Sequence, residues 1–165
     1  MADRLQQEIQ QRRPFPSPEV EALLNLARTS GQVRRLWQNL LKPWGLTDTQ
    51  YNVLRILRGA GDDGLTCGEI GERLVTHAPD ITRLLERLVR RGLVSQARES
   101  ADRRVVCSRI TADGLRLLEE IGPKADNAPP ELLKEMPQER IRQLIDLLEE
   151  VRCSVARFDE GDGEA

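Results

Sequence analysis

Apolar residues recur at helical spacing along most of this chain, and capping signals mark where each run begins. Ser17-Pro18-Glu19 joins a capping hydroxyl, a proline at the first helical position and an acid near the positive end of the dipole. Val20, Leu23, Leu24, Ala27, Val33, Trp37, Leu40 and Leu41 follow on one face, so a long helix is predicted until Pro43. Thr47 and Gln50 form a capping box for a second helix through Tyr51, Leu54 and Leu57, ending before Gly59. "GAGDDG" is a turn-rich connector, and Thr66 with Glu69 opens a third helix through Ile70 and Leu74.

A fourth helix is predicted from about Pro79 to Gly92. At about 100° per residue, Ile81, Leu84, Leu85 and Leu88 share one side. Arg83, Arg87 and Arg90 occupy the other, with Thr82 at the margin. The period then changes. Leu93-Val94 begins a strand and Val105 to Ile110 returns as the second arm of a β-hairpin, tipped by Asp102, Arg103 and Arg104. Thr111 caps a fifth helix through Leu115, Leu117, Leu118 and Ile121, interrupted by Pro123 and closed before Pro129-Pro130. The last helix, from Pro137 to about Arg157, carries Ile141, Leu144, Ile145, Leu148, Val151 and Val155 on one stripe, and "DEGDGEA" reads as a frayed tail. The fold class is mainly α with a small β-hairpin. Helix, short link, helix and hairpin together make a winged helix-turn-helix.

Composition narrows the function more than the fold. The 165 residues suit one domain, and 32% charged residues suit solvated helices. No apolar run spans a membrane, and "MADRLQQEIQ" lacks the apolar stretch of a secretory signal, which places the chain in the cytoplasm. The formal net charge is −2, yet Arg73 to Arg109 holds nine arginines against four acids. That local basic band is the footprint of a nucleic-acid contact, or else a solvated helix face. Cys67, Cys107 and Cys153 form no CxxC pair, and with one histidine no zinc site can be assembled; no cofactor is expected. With no nucleophile motif and no phosphate loop, the chain is not read as an enzyme.

"GLTDTQYNVLRIL", "THAPDITRLLERLVRRGLV", "DRRVVCSRITADG" and "LLKEMPQERIRQLIDLLEEVR" together resemble the multiple-antibiotic-resistance regulator (MarR) family of bacterial winged helix-turn-helix transcription factors. The likeness runs from about Pro14 to Arg157, and the wing pattern is met at Asp102, Arg104, Ile110, Thr111 and Gly114. It implies one domain over 1–165. Residues 47–111 would form the DNA-binding part; 5–45 and 112–157 would form the helical dimerisation part from the N- and C-terminal helices. It further implies a homodimer on double-stranded DNA at a near-palindromic operator, with repression relieved by a small aromatic or anionic effector.

Carried over by position, Arg104 enters the minor groove with Asp102 as its support, and Thr82 and Arg83 read the major groove. Pro79, Asp80 and Arg87 are neighbours of that contact; His77, as a DNA contact or a solvated turn residue, Arg98, as a phosphate contact, and Arg103 complete the candidate set. Trp37, Trp44 and Tyr51 are the candidate effector-pocket walls, or alternatively core and dimer packing. Peroxide-sensing members carry a reactive first-helix cysteine, which this chain lacks. Two other readings stay open: a winged-helix protein–protein adaptor, and a redox regulator acting through Cys67 at a helix start.

Overall fold

A computed structural model describes residues 4–76, 78–98 and 105–161. Seven α-helices and three short strands are described: α1 Arg4–Glu8, α2 Pro18–Leu41, α3 Asp48–Ala60, β1 Leu65–Thr66, α4 Cys67–Arg73, α5 Ile81–Arg90, β2 Val94–Arg98, β3 Val106–Ile110, α6 Ala112–Leu132 and α7 Gln138–Gly161. The chain divides into two compact units between Ile121 and Gly122.

The caps predicted from sequence form. The Ser17 hydroxyl accepts from the Val20 amide at 3.5 Å. Thr47 and Thr66 close reciprocal boxes with Gln50 and Glu69. In the second box the Thr66 backbone N–H and then its hydroxyl donate to the Glu69 carboxylate and hold it below the usual carboxylate range. Pro43 ends α2, and the chain makes one 3₁₀ turn, Lys42–Trp44, before Gly45 at φ 61°.

Four boundaries move. Gly59 does not stop α3: the helix continues to Ala60, and the break comes at Gly61, whose φ of 63° a helix cannot hold. A second 3₁₀ turn, Gly61–Asp63, follows within the turn-rich connector. The fourth helix starts two residues later than Pro79 suggests, because the Asp80 carboxylate accepts from the Arg83 amide and so becomes the cap. The third correction is the largest. α6 runs through Pro123, Pro129 and Pro130 to Leu132. Each ring removes one donor, leaving the carbonyls of Glu119, Ala125 and Asp126 without their usual partners. Burial of Leu118, Ile121 and Ala125 along the same helix offsets that loss. α7 likewise extends past Arg157 to Gly161, and α1 is an addition, with Leu5 buried.

The hairpin gains a partner. β3 lies between β1 and β2 in an antiparallel sheet, with Leu65 opposite Ser108, Thr66 opposite Cys107, and Val94 through Arg98 facing Ile110 through Val106. A two-residue strand carries no readable alternation, so β1 is invisible until β3 supplies its partner.

The core of the first unit is aliphatic. Leu41, Val53, Leu54, Leu57, Ile70, Leu85, Leu88, Leu118 and Ile121 are almost wholly buried. Buried Gln50 is used by its capping box, and buried Ser108 accepts from the Gln96 amide nitrogen at 3.2 Å. Gly114, in the first turn of α6, packs directly beneath the sheet. A Cβ there would press into the Leu93 carbonyl oxygen and lie 2.7 Å from Ile110 Cγ1. Gly59, inside α3, meets nothing within 4 Å. Gly114→Ala should therefore cost about 1–3 kcal/mol of stability by overpacking. Gly59→Ala should gain up to about 1 kcal/mol from helix propensity. Urea midpoints of the two variants check this, and equal midpoints would refute it.

Candidate nucleic-acid interface

α5 is amphipathic in the sense its sequence implies. Leu85 and Leu88 are buried, Ile81 and Leu84 half-buried, and Thr82, Arg83, Arg87 and Arg90 exposed. The helix thus turns one polar, arginine-bearing side to solvent while its leucines hold it on the core. At its start Asp80 does two things with one carboxylate. Oδ1 accepts from the Arg83 amide at 3.0 Å, and Oδ2 pairs with Arg83 Nε at 3.1 Å. Asp80 therefore orients Arg83 as well as capping the helix. Both groups are exposed, so the pair contributes geometry more than stability. Pro79 sits in the turn before this cap.

The arginine-rich band of the sequence separates into two kinds of residue. Arg91 donates from Nη1 to the Gly45 carbonyl and from Nη2 to the Trp44 carbonyl, both at 2.8 Å. Arg109 donates from Nε to the Asp62 carbonyl at 2.6 Å and from Nη2 to the Asp63 carbonyl at 2.9 Å. These two guanidiniums are fastened to main-chain oxygens inside the unit. Arg87, Arg90 and Arg98 are exposed, Arg98 at the end of β2 opposite Val106. The sequence contains no sign of this division, because a carbonyl partner leaves no trace in residue type. His77, Asp102, Arg103 and Arg104 lie outside the described residues.

Cys67 occupies the first position of α4, with its sulfur 3.7 Å from the Thr82 hydroxyl. Cys107 is buried and Cys153 exposed. Among the described residues, no cluster of His, Cys, Asp or Glu could hold a metal ion, and no helix is long and apolar enough to cross a membrane.

A cavity of about 410 Å³ opens beside α2 and α3. Trp37 and Tyr51 stack in its wall, ring centroids 6.0 Å apart and planes inclined by 23°. The Arg55 guanidinium lies 5.9 Å from the centre of the Tyr51 ring. Arg34, also in the wall, is 3.8 Å from Asp48. Trp44 is placed elsewhere: its indole N–H donates to Glu120 at 2.8 Å, and it is not among the lining residues. Two of the three aromatic candidates come together. Sequence reasoning missed Arg34, Arg55, Asn52 and the Val75-Thr76 segment in this wall. The signal available for Arg34 and Arg55 was their helical spacing, three before Trp37 and four after Tyr51.

Comparison with known proteins agrees with this arrangement. The MarR-family model matches residues 44–105, from the turn after α2 through α5 into the hairpin. The multiple antibiotic resistance protein MarR of Salmonella typhimurium is 30% identical over 118 residues, which cover 71% of this chain and 81% of that protein. The crystal structure of a MarR transcription factor from Planctomyces limnophilus superposes with a TM-score of 0.64 at 35% identity, covering 82% of this chain and 98% of that one. The structure of NadR in complex with 4-hydroxyphenylacetate superposes with a TM-score of 0.65 at 27% identity, covering 84% and 97%. An amphipathic α5 with an arginine face, an adjoining hairpin and these matches lead to one assignment: the chain belongs to the MarR family of helix-turn-helix transcriptional regulators.

Proposed function

We propose that this regulator binds an operator as a homodimer, inserts α5 into the major groove and represses until a small effector occupies the cavity at α2 and α3. The observation that carries the reading is the outward face of α5, where Thr82, Arg83, Arg87 and Arg90 stand exposed on a helix anchored by Leu85 and Leu88. A helix of this diameter fits the major groove, and a guanidinium there can make bidentate contacts to guanine. Asp80 presets Arg83 for that contact, while Pro79 and His77 precede the helix and Arg98, at the end of β2, is assigned to phosphate. Arg104, supported by Asp102, is assigned to the minor groove, with Arg103 beside it. The same polar face speaks against a protein–protein adaptor, which would need exposed apolar residues on α5.

Dimerisation rests on the terminal helices. In α7, Leu144, Ile145, Leu147, Val155 and Phe158 are exposed in the single chain, and α2 exposes Val20, Leu23, Leu24 and Leu26. Apolar surface of that extent calls for cover. The assignment gives 5–45 and 112–157 to the dimer and 47–111 to DNA. The effector is a small aromatic or anionic molecule, because Trp37 and Tyr51 offer ring faces and Arg55 a positive charge at the cavity. NadR, a relative of similar fold, binds 4-hydroxyphenylacetate. No step of this reading uses a cofactor or bond-making chemistry, and it places the protein in the cytoplasm.

Operator binding and light scattering test it. Genomic fragments retained by the protein define the operator, and affinity for it should fall steeply with salt, as phosphate contacts require. Arg83→Ala should relax base choice at particular operator positions, worth about 1–3 kcal/mol. Arg104→Ala should weaken most sites alike, and by more than Arg103→Ala at matched salt. A salt-independent interaction would favour the adaptor; a costlier Arg103 loss would overturn the assigned wing register. For assembly, Leu144→Glu should convert the dimer to monomer in light scattering and lose operator affinity with it, since both half-sites must be engaged together. A wild-type chain that stays monomeric at micromolar concentration would end the dimer proposal.

A further inference from the structure

We infer that Asn52 is the positioning residue that ties the cavity to the DNA-reading helix. This rests on the assignment of α5 to the major groove made above. Asn52 is half-buried on α3, one residue after Tyr51, and belongs to the cavity wall. Its carboxamide oxygen accepts from the Val75 amide at 3.0 Å. Val75 and Thr76 belong to the same wall, and they stand in the segment that leads from α4 into α5. Val75 is 85% exposed, so its side chain is not what holds this segment. No helix or strand bond restrains the Val75 amide; the Asn52 oxygen does.

The other end of α5 is tied by Arg91 to the carbonyls of Trp44 and Gly45, in the turn that joins α2 to α3. The approach to α5 is thus tied to α3 at Val75, and its far end is tied to the turn between α2 and α3. The ties differ in one respect. Arg91 makes its two bonds away from the wall, whereas both partners of the Asn52 bond line it. An occupant of the cavity bears on that bond directly. A guest that engages the Asn52 carboxamide or displaces Val75 releases the approach to α5. Occupancy becomes a change in the recognition helix without any movement of the core leucines.

The test uses the full-length chain, two variants that keep the branched, four-heavy-atom shape of the side chain, and the operator recovered from genomic selection. N52L removes the acceptor, and N52D keeps one at the same place. N52L should lose roughly three- to tenfold in operator affinity, the worth of one hydrogen bond that positions rather than contacts. Amide exchange in N52L should accelerate at Val75 and its neighbours while α3 and the sheet keep their protection. N52D should stay within about twofold of wild type by the same bond. The inference is overturned if N52L binds within that margin, if N52D loses as much as N52L, or if protection falls across the whole unit, which would make Asn52 a packing residue. Arg83→Ala, measured alongside, separates the two levels. If it leaves affinity and base choice unchanged, the assignment of α5 fails and this inference with it. If it acts and N52L does not, only the tie is refuted.

Discussion

The placement of α5 depends on two leucines. At ten residues the helix is too short to persist alone in water, where nucleation outweighs the bonds gained. Burying Leu85 and Leu88 stabilises it by roughly 1.5–3 kcal/mol for each side chain. Because these residues are three apart, the burial sets the rotation of the helix as well as its presence. Every outward residue then has its direction decided. Arg83 and Arg87 face solvent because Leu85 and Leu88 cannot.

Polar contacts refine what burial has placed. The Asp80 cap sets where α5 begins, and Arg91 sets where it ends relative to the turn after α2. Arg109 fastens the second 3₁₀ turn to β3, and the room for its side chain comes from Gly64, which has φ 71° and no Cβ. A Cβ at Gly64 would lie 2.7 Å from Arg109 Cγ and 2.8 Å from the Ser108 carbonyl oxygen. The hairpin and the helix-turn-helix are thus joined by main-chain oxygens paired with arginines. In this family member, arginine is both the candidate reader of DNA and a fastener of the frame that presents it.

The cavity brings together residues whose types say little singly. Trp37 and Tyr51 form a ring pair because α2 and α3 pack side by side after a single tight turn at Gly45. Asn52 is an unremarkable helix residue in the sequence. Its meaning comes from Val75, 23 positions later. The exposed apolar residues of α7 likewise form a helix face whose sequence asks for cover.

Residue order alone determined the helices with strong local signals. The capping boxes at Thr47 and Thr66, the Ser17-Pro18 start and the leucine face of α5 are decided by contacts within four residues, so they are legible in one dimension. The basic band, the arginine-bearing face and the family were legible for the same reason. Tertiary structure decided what depends on distant partners. β1 exists only because β3 pairs with it, and α6 continues through three prolines where local rules would end it. Arg91 and Arg109 were drawn from the band to carbonyls at least 46 positions away, and Trp44 turned to Glu120 instead of the cavity. Hydrogen bonds of such span are chosen by the packed fold, which brings the acceptor into reach, and that proximity is not written in the neighbouring residues.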